Sequence, residues 1–364
     1  MRFILFLLVS ILIALPAEGR VRLVGDLPRR DSAPLHDHEG LETEYGEVVT
    51  SEGIRLRTIL TRPEGASAPL PAIFLAQAVS CGSIDIPAGR PSSLMTLARR
   101  SGLALVRIER SGTGDSEGPA CSALDYDTEV RHYREALGQI RRHPWIDGDR
   151  LVVYGSSLGS TTAPLIASGF PVAGVFVQGG GAETYLERMI DFDRLHLERS
   201  GQFPAERIHD EMLRRIPFHY DYLVRGRTPQ EIEAERPELR GVWAAIRGAE
   251  PDSHYGRPFA WHQQAARRNF LEAWARIEAP VLVLYGEYDQ FERPGGHRLI
   301  AETVNRLRPG TATFVQIEGV DHSLISYPSA DAAYREENGE RRPELFLEPV
   351  LAWLRSVLGP SPRE

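Results

Sequence analysis

Lysine is absent from this chain: all 42 basic residues among its 364 are arginine. That excludes a Schiff-base lysine and the phosphate-gripping lysine of P-loop enzymes. Cysteine is nearly absent, with Cys81 and Cys121 the only two. Two thiols without neighbouring His or Cys ligands make a poor zinc site, so neither metal nor cofactor is expected. An excess of positive charge is lacking as well. The formal net charge is −8, which removes nucleic acid from the expected partners. Beyond the first residues, no run is apolar and long enough to span a bilayer.

The N-terminus reads as a targeting segment. Met1-Arg2 is a minimal charged start, the thirteen residues Phe3 to Leu15 are mainly apolar, and Ala17-Glu18-Gly19 is small-x-small. Thirteen residues are too few to cross a bilayer comfortably, so residues 1–19 read as a cleaved secretory signal, with an uncleaved membrane anchor the alternative. The mature protein is expected to be secreted or periplasmic. In an oxidising compartment an even pair of cysteines reads as a Cys81–Cys121 disulfide, with two unconnected thiols the alternative.

The most informative stretch is Leu151 to Ser168. An apolar run, Leu151 to Tyr154, meets Gly155-Ser156-Ser157-Leu158-Gly159, and a small-residue helix follows without a linker. Strand, G-x-S-x-G and helix in that order form a nucleophile elbow. The turn is so tight that side chains two residues either way from the serine would collide, hence glycine at 155 and 159. It lifts the Ser157 hydroxyl clear of the sheet. It also aims the Leu158 N–H and the helix N-terminus at the place where an oxyanion would form. Gly114-Asp115-Ser116-Glu117-Gly118 fits the same string and serves as a control. No helix follows it and its carboxylates would oppose an anion, so Ser116 is not a candidate nucleophile.

Along the chain, residues 20–44 are rich in charge, Pro and His and read as a linker or strap. Within it His36-Asp37-His38 reads as an exposed polar turn rather than a metal site. From Tyr45 the pattern predicts a hairpin (Glu47–Thr50 and Ile54–Thr61), then buried strands at Pro71–Ala76, Leu103–Ile108 and Val172–Gln178. Helices are predicted at Ser92–Ser101 and Asp125–Arg142. Strands alternating with helices indicate an α/β fold with a largely parallel sheet covered on both faces. The rhythm breaks over residues 183–278, where only charged helical segments appear: Tyr185–Arg199, Pro204–Arg215, Pro229–Arg236 and Ala260–Ala275. Strands resume at Pro280–Gly286 and Thr313–Ile317, and a last helix covers Leu345–Leu358. The expected organisation is a core of 45–182 and 279–364 interrupted by a helical insertion, 183–278.

A serine hydroxyl needs a base, and the base an orienting carboxylate. In an open parallel sheet, functional groups gather at the carboxyl ends of strands. Two such ends carry suitable residues: Gly286-Glu287-Tyr288-Asp289 and Glu318-Gly319-Val320-Asp321-His322. His322 is the candidate base. Asp289 is preferred as the acid over Glu287, which is too close to the strand end. It is also preferred over Asp321, whose adjacency to His322 should turn its side chain away.

These residues carry a resemblance to the α/β-hydrolase superfamily, over about Tyr45 to Leu358. The carrying motifs are the elbow at 155–159, Gly286 to Asp289, Gly319 to His322, and Arg110-Ser111-Gly112-Thr113-Gly114-Asp115-Ser116, which resembles the family's R-G-x-G-x-S loop. The order Ser157, Asp289, His322 is the order that family uses. The resemblance implies a helical cap between the sixth and seventh strands and a carboxylesterase-like serine hydrolase acting on a small-molecule acyl substrate. It also implies a second oxyanion N–H from the loop after the Pro71–Ala76 strand. Gln77-Ala78 stands where the family often has His-Gly, so Val79 is the expected donor, with Ala78 the alternative. A Cys81–Cys121 bridge would then stiffen that loop. Arg257, in a turn of the insertion, is a candidate for an acidic substrate group, with a solvated or cap-bracing arginine the alternative. A peptidase or amidase, an acyltransferase, or a catalytically silent binding module of the same fold are the rival functions. Oligomeric state is not legible.

Overall fold

A computed structural model of the chain describes residues 20–30 and 35–359. The signal segment expected at 1–19 lies outside the described residues. Nine strands build the central sheet: β1 (Val21–Leu23), β2 (Leu41–Val49), β3 (Arg55–Pro63), β4 (Leu70–Ala76), β5 (Ala104–Ile108), β6 (Ile146–Ser156), β7 (Gly174–Gln178), β8 (Val281–Gly286) and β9 (Ala312–Ile317). Their order across the sheet is β1-β2-β3-β5-β4-β6-β7-β8-β9. Only β3 runs against the others, pairing antiparallel with β2 and β5. Hydrophobic continuity explains the centre. Successive residues point to opposite faces, so Val153, Val177 and Val283 enter one core while Val152, Phe176 and Leu282 enter the other.

The helices of the core are α1 (Ser93–Ser101), α2 (Tyr126–Ile140) and α3 (Gly159–Ala167) before the insertion. The first residue of each predicted helix is its cap: the Ser92 side chain accepts from Met95 N–H and Asp125 from Thr128 N–H. The insertion between β7 and β8 contains α4 (Tyr185–Arg199), α5 (Ala205–His219), α6 (Pro229–Glu235), α7 (Val242–Ala245), α8 (Phe259–Ala266) and α9 (Phe270–Ala275). After it come α10 (Pro294–Leu307), α11 (Ala330–Tyr334) and α12 (Pro343–Leu358).

Four expectations need revision. The segment 20–44 is no simple linker: it supplies β1, parallel to β2, and the start of β2 itself. A fully buried arginine clamps it down, since Arg57 donates to Leu27 O (2.6 Å), Gly46 O (2.9 Å) and Asp115 Oδ2 (3.0 Å). His38, read as part of an exposed turn, is buried with Nε2 3.0 Å from Ile86 O. Helix α5 does not stop at Arg215. It runs past Pro217 to His219 and continues as a π turn at Tyr220–Val224. The single helix expected over 260–275 is two, divided where the Asn269 side chain caps α9 by accepting from Glu272 N–H (2.9 Å). The insertion also holds a two-residue ladder, Ser253–His254 against Arg257–Pro258, too short for any periodicity to reveal.

Candidate active site

Ser157 sits between β6 and α3 at φ +54°, in the left-handed region that costs a residue with a side chain about 1–2 kcal/mol. The surroundings hold it there. Its N–H donates to Gln178 O at the end of β7 (2.7 Å), and Ser160 N–H returns to Ser157 O (2.9 Å). A Cβ on Gly155 would lie 2.4 Å from Gly159 O, and one on Gly159 would lie 2.1 Å from Ala76 O. Glycine is therefore required at both places by close approach of backbone to backbone.

His322, in the loop after β9, places Nε2 2.9 Å from Ser157 Oγ and Nδ1 2.7 Å from Asp289 Oδ2. The other oxygen of Asp289 accepts the N–H groups of Phe291 (2.8 Å) and Glu292 (2.9 Å), so the carboxylate is fully buried and orientated. Burial alone would raise the Asp289 carboxyl. The charge of His322, their hydrogen bond and the Phe291 amide outweigh it and hold the group below its ordinary value. Burial alone would likewise lower His322, but the Asp289 charge and hydrogen bond overcome it and raise the imidazole above 6.5. An imidazole so placed can accept the hydroxyl proton. The rival acids turn elsewhere: Asp321 Oδ1 accepts Ile325 N–H (2.8 Å) and Glu287 Oε2 accepts Gly319 N–H (2.7 Å).

The loop after β4 is held from behind. Arg110 donates to the carbonyls of Gln77 (3.0 Å), Ala78 (2.5 Å) and Ser80 (2.6 Å). In a trans peptide the N–H points opposite to the C=O. Anchoring the Gln77 and Ala78 carbonyls therefore turns the Ala78 and Val79 N–H groups away from Arg110. Leu158 precedes α3, so its N–H belongs to the unshared donors of a helix start. The Ser157 N–H is already committed to Gln178 and is unavailable to a ligand.

Arg110 is itself fixed by Glu129 of α2, its Nε donating to Oε1 (2.7 Å). The other oxygen of Glu129 receives Trp261 Nε1 (2.9 Å) and Nη2 of Arg257. Arg257 is fully buried and also directs Nη1 at both sulfurs of the Cys81–Cys121 disulfide. The candidate role of Arg257 toward an acidic substrate is thus corrected: its guanidinium is spent on Glu129 and on the bridge, bracing cap to core. Ser116 is also structural, donating to Glu109 O (3.0 Å) and accepting from Arg57 N–H (2.9 Å).

The insertion packs against this end of the sheet. Leu158 shares an apolar cluster with Tyr185, Phe192, Phe218, Tyr222, Trp243 and Trp261 of the insertion. Phe291 lies against His322, ring centroids 4.8 Å apart. Among the described residues no three His, Cys, Asp or Glu side chains gather as metal ligands would, and no helix is long and apolar enough to cross a membrane.

Two parts of the site had a signal in the sequence that motif reading passes over. Glu129 stands on the buried stripe Tyr126, Glu129, Tyr133, Leu137 of α2, where a carboxylate must have a buried partner. Gln178 ends a strand at a glycine run, and its side chain donates to His322 O (2.9 Å), tying elbow to histidine loop.

The family model described as the alpha/beta hydrolase family matches residues 87–336. No curated protein matches the sequence. Similar solved structures include DcsB in complex with its substrate analogue, with TM-score 0.52, 16% identity, and coverage of 86% of this chain and 99% of that one. The Pyrococcus furiosus esterase Pf2001 gives TM-score 0.51 at 12% identity, covering 88% and 92%. Porphyromonas gingivalis dipeptidyl peptidase 4 gives TM-score 0.50 at 12% identity, covering 87% of this chain and 35% of that one. At such identities the likeness is one of fold.

Proposed function

Because the chain belongs to the alpha/beta hydrolase family, we propose that it is an exported serine hydrolase that cleaves a carboxylic ester or related acyl bond of a small molecule. The observation that carries this reading is His322, which lies within hydrogen-bond reach of Ser157 on one ring nitrogen and Asp289 on the other. Ser157 Oγ attacks the carbonyl carbon as His322 Nε2 takes its proton. Asp289 holds the ring and stabilises the imidazolium. The oxyanion is received by the N–H groups of Leu158 and Val79, with Ala78 the alternative second donor. His322 then protonates the leaving group, an acyl-enzyme remains, and a water molecule reverses the steps. None of these steps calls on a cofactor. Residues 183–278 act as a cap that covers the site. Export rests on the signal at 1–19 and accords with the disulfide.

Labelling with a serine-reactive fluorophosphonate, wild type beside Ser157→Ala, tests the assignment. Wild type should label and the variant should not. An unlabelled wild type would point to a binding module of the same fold. Rates across p-nitrophenyl esters and aminoacyl amides then separate esterase from peptidase: ester turnover well above amide turnover is expected, and the reverse would move the protein to the peptidases.

A further inference from the structure

The cap carries one half-buried cation at the active centre that no carboxylate among the described residues neutralises. Arg247 follows α7, and its backbone is pinned on both sides. Its N–H donates to Asp193 Oδ1 (3.4 Å) and its carbonyl accepts from His254 Nε2 (3.0 Å). Its side chain turns to the site instead. The guanidinium carbon lies 3.8 Å from the centroid of the Phe291 ring, and that ring is the one packed against His322. One ring, that of Phe291, separates the cation from the base that faces Ser157.

The nearby carboxylates are already engaged. Asp193 is held by Arg215 (3.3 Å) and His219 (2.7 Å). Glu292 receives Arg188 Nε (2.6 Å). Arg247 has no ion pair among the described residues. Other arginines of the cap interior, Arg188, Arg215 and Arg257, each have a buried acidic partner. Stacking on an aromatic ring uses the face of a guanidinium and leaves its N–H edge free for a carboxylate. A cation kept half out of water without a counter-charge, beside a nucleophile, is a receptor for an anion.

We propose that Arg247 binds an anionic group of the substrate, a carboxylate by its fork geometry, so that the enzyme's substrates are acyl compounds bearing a free acid near the scissile bond. This rests on the serine-hydrolase reading and specifies its substrate class. The acid group lies on the acyl or the leaving-group side, and the test covers both.

The experiment compares kcat/KM for p-nitrophenyl hemiglutarate with p-nitrophenyl butyrate, and for 4-carboxyphenyl butyrate with phenyl butyrate. Wild type, Arg247→Gln and Arg247→Lys are measured. In at least one pair the ratio of anionic to neutral ester should fall about ten- to a hundredfold in Arg247→Gln. Arg247→Lys should retain part of it. A general disturbance of the cap would slow both esters and leave the ratio alone, so ratios within twofold of wild type in both pairs overturn the inference. If wild type labels with fluorophosphonate while the ratios stay put, only the inference fails. If wild type does not label, the hydrolase reading fails and takes the inference with it.

Discussion

Gly179 and His322 touch across the end of the sheet: a Cβ on Gly179 would lie 2.8 Å from Cε1 of the imidazole and 3.1 Å from Nδ1. The glycine also has φ +75°, where a side chain costs about 1–2 kcal/mol. Gly179→Ala therefore has to displace the ring that bridges Ser157 and Asp289. A misplacement of about 1 Å costs on the order of a hundredfold in rate. Stability should drop by about 1–2 kcal/mol and kcat by tenfold or more, read by thermal unfolding and ester turnover. A kcat within twofold of wild type would show that the ring has room to spare.

His322 must be neutral to accept a proton, and Asp289 raises its affinity for one. As pH rises through the folded-state value, above 6.5, the base is released and kcat/KM should climb. Asp289→Asn removes the raising charge, so the midpoint of that acid limb should move down. Turnover at the plateau should fall by roughly 10⁴-fold. A pH–rate profile of both proteins decides it, and an unmoved midpoint would remove Asp289 from the relay.

The elements that position the site were legible because each rests on local chemistry. The elbow is a run of small residues forced by backbone contact, Asp289 follows the fully buried apolar strand β8, and His322 follows the half-buried edge strand β9. What escaped were contacts between segments distant in sequence. Arg110 appears in the glycine-rich motif, yet its grip on the Gln77–Ser80 carbonyls depends on how two loops meet. Arg257 and Arg247 are ten residues apart in a charged insertion, and only the packing decides which is paired to Glu129 and which faces Phe291. Residues 20–44 read as a linker or strap, and the clamp on that segment is not legible because its arginine, Arg57, lies on another strand.

The Cys81–Cys121 bridge closes a segment with a sequence separation of 40. Closing a loop of that size restricts the unfolded chain by about 4 kcal/mol. The double variant Cys81→Ser/Cys121→Ser should unfold at lower temperature. It should also turn over more slowly, since Cys81 lies just past the Gln77–Ser80 loop. Oxidised and reduced wild type compared on one ester would report the same effect. Equal rates would leave the bridge a role in stability alone.

Glu129 holds three donors from two parts of the chain: Arg110, which grips the Gln77–Ser80 loop, and Arg257 and Trp261 from the insertion. The carboxylate is buried, and its two arginines hold it below its ordinary value against the opposing pull of burial. Removing it leaves two guanidinium groups buried without a counter-charge, a loss of about 3–5 kcal/mol. Glu129→Gln keeps the shape and loses the charge, so it should unfold earlier than wild type and report the electrostatic part. The catalytic consequence runs through Arg110. With that side chain no longer fixed, the Gln77, Ala78 and Ser80 carbonyls lose their anchor and the opposed N–H groups lose their aim. Transition-state stabilisation suffers more than substrate binding, so kcat should fall about tenfold or more while KM changes little. Measured well below the unfolding temperature and normalised to fluorophosphonate-labelled protein, that fall separates positioning from mere loss of fold. An unchanged kcat in a destabilised variant would mean that the cluster joins cap to core and does nothing for the oxyanion.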